Sequence, residues 1–258
     1  MNKTVIGIAA AAAALVATSA LAADMAVKAP LAAPAPVSTW TGCYVGGNMG
    51  GDWARSHWTY RNVNPYDALG PGAPIIGTDN AFQMSGVIAG AQGGCNYQFA
   101  NVVLGVEASW SGTHLDDAVP NVVQVFAPFA SQRVETTIDS MYTVAGRLGY
   151  VFAPAWLGYV KGGYAAAHIN TFGFTDALSI FNWQSSAWHG GFVAGGGVEY
   201  MLMPHVVVGV EYDYVGLNTK DQVGVIPGLA AVFNPVHSVN ANVQSVTARI
   251  NFLFGPGQ

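Results

Sequence analysis

From Val243 to Phe254, VQSVTARINFLF, one parity carries Val246, Ala248, Ile250, Phe252 and Phe254. The other carries Thr247, Arg249 and Asn251, with Leu253 as the exception. A period of two with one apolar and one polar face is that of a β-strand. An arginine in mid-strand, and aromatics closing the apolar side, fit a strand that faces lipid on one side and a barrel lumen on the other.

Seven further stretches repeat the pattern: Gly42–Ala54, Ser85–Phe99, Val102–Ser111, Met141–Phe152, Trp156–Ala167, His189–Met201 and Val206–Leu217. In Val102–Ser111, for example, Val102, Leu104, Val106, Ala108 and Trp110 alternate with a parity that holds Glu107. Tight connections at Ala100-Asn101, Ala153-Pro154-Ala155 and Met203-Pro204-His205 alternate with long polar ones carrying proline. Eight strands joined alternately by short turns and long loops predict an all-β, eight-stranded antiparallel up-and-down transmembrane β-barrel. Turns would face the periplasm and loops the exterior, which places both termini in the periplasm. A soluble eight-stranded barrel would carry its apolar parity inside; here charges share the inner parity with glycines.

Composition agrees. Of 258 residues, 52% are apolar, 9% charged and 12% aromatic, with 32 glycines. The charged fraction is far below the quarter usual in soluble domains. A net charge of −5 argues against nucleic acid as a partner. The first residues read as a cleaved secretory signal peptide, residues 1–22. Lys3 gives the positive start, Ile6 to Ala17 the apolar core and Ala20-Leu21-Ala22 the cleavage site, with Ala23 as the alternative cut. Residues 23–39, rich in Ala and Pro, read as a periplasmic linker, and 40–258 as the barrel.

Seven charges fall on the inner parity: Glu107, Arg147, Lys161, Glu199, Glu211, Asp213 and Arg249. Glu107, Arg147, Lys161, Glu211 and Arg249 each lie about five residues from a tight turn, which predicts one layer of paired charges. Unpaired charges in a lumen shielded from water are costly and paired ones tolerable. Glycines of the same parity, such as Gly94, Gly105, Gly163 and Gly197, leave space for those side chains. Two readings follow: an electrostatic plug that fills the lumen, which is preferred, or a gated narrow pore.

Cys43 and Cys95 share the outer parity of the first two strands. In an exported protein they form either a cross-strand disulfide or two small apolar thiols. His57, His114, His168, His189 and His237 map to the rim or the outer loops, as solvated side chains or, alternatively, as ligands for a metal or haem. Trp40, Tyr44, Trp53, Trp58, Tyr97, Phe99, Trp110, Tyr150, Phe152, Trp156, Trp188, Tyr200, Phe252 and Phe254 fit aromatic girdles at the membrane interfaces. No HExxH, GxSxG or phosphate-binding loop occurs, and Asp116-Asp117 reads as a solvated pair. No catalytic residue and no cofactor are predicted.

The segments WTGCYVGGNMGGDW, GAQGGCNYQF, VLGVEASW, VAGRLGYVF, YVKGGYA, GGGVEY and GVEYDYVGL, in this order, resemble strands of the small alphaproteobacterial outer-membrane β-barrel proteins. That family is loosely termed porin-like or OmpA-like and includes major surface antigens of rhizobia and brucellae. The resemblance covers Trp40 to Phe254. It implies an abundant barrel supporting envelope integrity, with haemin binding in some members. It also implies contact with outer-membrane lipid and lipopolysaccharide and with the barrel assembly machinery. Cysteine stands at both Cys43 and Cys95, where many members have aromatics, which favours the disulfide. Gly255-Pro256-Gly257-Gln258 follow the closing aromatic at which most members end. The expected function is a structural barrel and surface antigen with a plugged lumen. The alternatives are a small porin and a haemin receptor acting through the rim histidines.

Overall fold

A computed structural model describes residues 39–62, 77, 79–120, 132–175 and 182–255. The predicted signal peptide and linker lie outside the described residues. Eight strands follow in chain order: β1 (Gly42–Tyr60), β2 (Asp79–Phe99), β3 (Val102–Pro120), β4 (Gln132–Ala153), β5 (Trp156–Thr175), β6 (Trp183–Met203), β7 (Val206–Val223) and β8 (Val236–Phe254). Each pairs antiparallel with its neighbour in sequence, and β1 closes on β8 from Cys43↔Phe254 to Tyr60↔His237. The eight-stranded, up-and-down barrel is therefore the observed fold.

Three turns at one end, Ala100-Asn101, Pro154-Ala155 and Pro204-His205, are two residues long. In the first, Ala100 takes a positive φ, 53°, as the first central residue of a primed hairpin turn does; the other two begin with proline and carry register shifts beside the turn. The other end carries the connections 61–78, 121–131, 176–182 and 224–235. These are shorter than expected, because every strand runs well past its predicted limit at this end.

The overrun has a chemical cause visible in β8. Its inner parity is unbroken from His237 to Leu253, yet the residues on it change. Towards the loop end the buried side chains are His237, Val239, Ala241 and Val243; further down they are Ser245, Thr247, Arg249 and Asn251. The outer parity changes in the opposite sense, from Asn240, Asn242 and Gln244 to Val246, Ala248, Ile250, Phe252 and Phe254. On β4 the exposed apolar run is Tyr142 to Phe152, and beyond it stand Asp139, Thr137 and Glu135. A tilted strand crosses a bilayer in about 9–11 residues, which matches these outer apolar runs. The membrane-spanning part of each strand is thus its turn-end half. The loop-end half has an ordinary apolar core inside and polar residues outside, so the apolar-out template stops matching there while the strand continues.

Three layers fill the barrel. At the turn end, Trp40, Tyr44, Val103, Leu157, Met201, Val207 and Leu253 form an apolar floor. Val103, Leu157 and Val207 are the first inward residues after the three turns. Trp40, 1% exposed, is anchored where its amide donates to Gln98 Oε1 at 2.8 Å. At the loop end Trp58, Phe82, Ile88, Leu115, Ile138, Ile169, Trp183 and Val239 belong to a larger apolar core. Ile226, from the connection after β7, is buried in it. The charges lie between.

Three aromatics leave the predicted girdles. Tyr44 and Trp58 are buried inside the barrel because they lie on the β1 parity opposite Cys43, Trp53 and His57, and Trp40, just before β1, is buried as well. The rest of that set point outwards.

Candidate functional site

All seven predicted charges are inside and form one connected network. Arg147 reaches Glu199 at 2.9 Å and Glu107 at 3.4 Å. Lys161 reaches Glu211 and Asp213, each at 2.8 Å, and Glu107 at 3.5 Å. Arg249 pairs with Glu107 and Glu211. Glu107 therefore touches all three cations. The side chains come from β3, β4, β5, β6, β7 and β8, so the network ties most of the ring together.

Two tyrosines that parity alone would have placed inside complete the layer. Tyr44 donates its hydroxyl to Glu107 Oε2 at 2.6 Å and accepts from Arg147. Tyr159 donates to Glu211 Oε2 at 2.5 Å and accepts from Arg249 Nη1 at 3.0 Å. The Arg147 guanidinium lies 3.8 Å from the Tyr159 ring centre, a cation–π contact. Each tyrosine lies across a glycine of the next strand. Tyr44 pairs with Gly94 and Tyr159 with Gly197, and a Cβ at either would stand within 3 Å of the tyrosine hydroxyl. Aromatic cover of strand glycines fixes register as well as filling space.

Amides and hydroxyls flank the charges. Gln92 Nε2 donates to Asn251 Oδ1 at 2.7 Å, Asn48 Nδ2 to Gln92 Oε1 at 2.6 Å, and Asn251 Nδ2 to Glu199 at 3.3 Å. Between the network and the apolar core lies a cavity of about 20 Å³, lined by Asn48, Ser111, Thr143, Asp213, Thr247 and Arg249 among others. That is room for about one water molecule. Charge, aromatic and amide side chains therefore occupy the cross-section at this level, with apolar layers on both sides.

The cysteines are bonded. Cys43 and Cys95 are direct cross-strand partners on the outer wall, with Cα atoms 3.9 Å apart.

The histidines do not sit in loops, because the longer strands absorb all five. His57, His114 and His168 point outwards from β1, β3 and β5. His189 and His237 are buried inside the barrel, correcting their placement at a solvated rim. They are joined through Gln222 and Thr171: Gln222 meets His189 Nε2 at 2.7 Å, and Thr171 lies 3.0 Å from Gln222 and 3.3 Å from His237. Among the described residues, no group of three His, Cys, Asp or Glu is arranged to hold a metal ion.

Comparison with known proteins places this geometry. The family model for the outer membrane protein β-barrel domain matches residues 8–248. The chain belongs to that outer-membrane β-barrel family. It is 29% identical over 218 residues to the 31 kDa outer-membrane immunogenic protein of Brucella melitensis, covering 84% of each chain. The protein of that name from Brucella suis matches equally. Among solved structures, the outer membrane protease OmpT of Escherichia coli is similar in fold, with a TM-score of 0.51 and 8% identity over 83% of this chain and 97% of that one. Ail of Yersinia pestis matches over 82% of this chain and 99% of its own, at 13% identity and a TM-score of 0.37. These likenesses concern the fold alone. The protein is thus an outer-membrane β-barrel protein of a Gram-negative bacterial family, related to an outer-membrane immunogenic protein.

Proposed function

We propose that this barrel is a sealed, non-conducting element of the outer membrane that supports envelope integrity and presents its loop end as a surface antigen. The observation that carries the reading is the triple filling of the interior. An apolar floor, an interconnected network of ion pairs and an apolar core stand in series, and the space between the last two holds about one water. Ion passage would require breaking buried pairs, each worth about 3–5 kcal/mol when one partner is lost, and wetting two apolar layers.

Tight turns at one end and longer connections at the other match the periplasmic and extracellular ends of bacterial barrels, so the loop end faces outwards and the chain enters the barrel from the periplasm. The barrel's partners are then outer-membrane lipid and lipopolysaccharide along the apolar wall, and the barrel assembly machinery during insertion.

Deleting the gene from its source organism should raise sensitivity to detergent and to large antibiotics that an intact outer membrane excludes. The wild-type gene should restore resistance. A deletion strain as resistant as its parent would contradict the envelope role.

A further inference from the structure

On the outer wall, immediately beyond the apolar band, β4, β5 and β6 bring together three side chains in an order that the charge network does not explain. The β4–β5 register slips between Ile138↔Ile169 and Ser140↔His168, leaving Asp139 as a bulged residue. Bulges re-aim side chains and gather near active sites; this one turns Asp139 along the wall towards His168. The two Asp139 oxygens lie 3.0 and 3.1 Å from His168 Nδ1. Across the ring, His168 Nε2 lies 2.8 Å from Ser186 Oγ.

The proton positions follow from the partners. The Asp139 carboxylate accepts from Ser140 Oγ and from Asn170 Nδ2, both at 3.0 Å, and is fixed as an acceptor. His168 Nδ1 then carries a proton, and in the neutral ring Nε2 is the acceptor to which the Ser186 hydroxyl donates. Acid, base and hydroxyl stand in the sequence that activates a serine nucleophile. The His168 ring is further held against Trp188, with centroids 5.1 Å apart. Ser186 is exposed and can be reached from outside.

The seam beside Ser186 supplies what a nucleophile also needs. The β6–β7 ladder stops at Gly191↔Leu217 and resumes only at the bridge Gln184↔Val225. The Gln184 amide faces that seam, donating to Val225 O at 3.2 Å. By the alternation of strand hydrogen bonding the Ser186 amide, two residues on, faces the same seam, where the β6–β7 ladder among the described residues has no pair at its level, so it is a candidate oxyanion donor. Lys220 Nζ, donating to the Trp188 carbonyl at 3.0 Å, puts a cation on this seam. Directly below, Tyr142, Trp188 and Tyr164 form an aromatic group above the lipid-facing Val144, Val160 and Phe192. An acyl chain lying on this wall would bring its ester carbonyl towards Ser186, with the Lys220 cation beside the seam for an anionic headgroup.

We propose that Ser186, His168 and Asp139 form a nucleophilic triad on the barrel's outer wall that hydrolyses acyl esters of phosphate-bearing membrane lipids. Ser186 Oγ bonds to the ester carbonyl carbon as its proton passes to His168 Nε2. The C–O bond to the lipid alcohol then breaks, and the alcohol takes that proton. Water, deprotonated by His168, attacks the acyl-serine; free fatty acid leaves and Ser186 regains its hydrogen. The proposal depends on the orientation given above only for which leaflet supplies the lipid.

The test uses the full chain refolded into vesicles of phosphatidylethanolamine and phosphatidylglycerol, with and without lipopolysaccharide, where neither orientation nor conduction affects the result. A fluorophosphonate probe should add to Ser186, located by peptide mass spectrometry. Fatty acid should be released at a rate that rises as an imidazole loses its proton. Ser186→Ala should abolish both signals, and His168→Ala should slow them on the order of 10²–10⁴-fold. Both variants should keep the heat-modifiable gel mobility of the folded barrel. Release without lipopolysaccharide identifies a phospholipid ester; release only in its presence identifies an ester of that lipid. No adduct at Ser186, or equally fast labelling of the folded His168→Ala protein, would overturn the triad. An adduct without fatty acid release from any vesicle would overturn the lipid substrate.

Discussion

Arg147→Leu isolates what the charge network contributes. Among the described residues Arg147 is the only cation within ion-pair distance of Glu199, at 2.9 Å, and it also contacts Glu107, Tyr44 and the Tyr159 ring. Both Arg147 and Glu199 are buried. Removing Arg147 leaves four carboxylates against Lys161 and Arg249, with Glu199 held by the Asn251 amide at 3.3 Å. Breaking one partner out of a buried pair costs about 3–5 kcal/mol, chiefly because the orphaned charge stays buried. The double variant Arg147→Leu/Glu199→Leu removes one charge of each sign, so the excess of one acid over the bases is unchanged. Replacing a buried pair by apolar groups of similar volume is often close to neutral, so the double variant should lie within about 1.5 kcal/mol of wild type. Urea unfolding in detergent micelles or vesicles, followed by tryptophan fluorescence, measures both. A single variant costing under 1 kcal/mol, or a double variant as damaged as the single, would refute the reasoning.

Other predictions follow from the layers above and below. His237 lies in the loop-end half of β8, beyond the spanning Val246–Phe254, where burial pushes its imidazole down to about 4 despite Asp221 nearby. The unfolded chain binds the proton more readily, so this group's contribution of roughly 3 kcal/mol is present above about pH 6.5 and is lost as the pH falls towards 4. A pH series of unfolding curves for His237→Phe should lack that part of the decline; an identical decline would contradict it. At the turn end, Ala100→Gly should stabilise by about 1 kcal/mol, since glycine carries no penalty at φ 53°, and an unchanged urea midpoint would count against the turn geometry. The Cys43–Cys95 bond closes a separation of 52 residues, so reduction should cost at most about 4 kcal/mol. The unfolded, unreduced chain should show no free thiol, and two titratable thiols would disprove the bond.

The membrane-spanning half of each strand was legible because one rule, apolar out and polar in, holds from Val246 to Phe254 and from Tyr142 to Phe152. Parity then carried the inward charges to their places without any knowledge of their partners. The same rule hid the loop-end halves. At Asn240, Asn242 and Gln244 the outer face turns polar while Val239, Ala241 and Val243 turn inwards, and a pattern that has exchanged its two faces reads as loop. Tyr44 was misplaced by residue type, although its parity against Cys43 already put it inside, and Trp58 lay beyond the predicted strand limit at Ala54. Trp40 lies before β1, so no alternation could show that it closes the barrel floor. The grouping of Asp139, His168 and Ser186 was invisible for another reason: they are far apart in sequence and meet only through the β4–β5 bulge and cross-strand register.

The sealed interior is tested most directly by single-channel recording of the refolded protein in a planar bilayer, with insertion verified independently. Floor, charge network and apolar core in series predict a silent bilayer at all salt concentrations. Discrete steps that scale with salt would show that the network opens to water, and the barrel would have to be read as a pore.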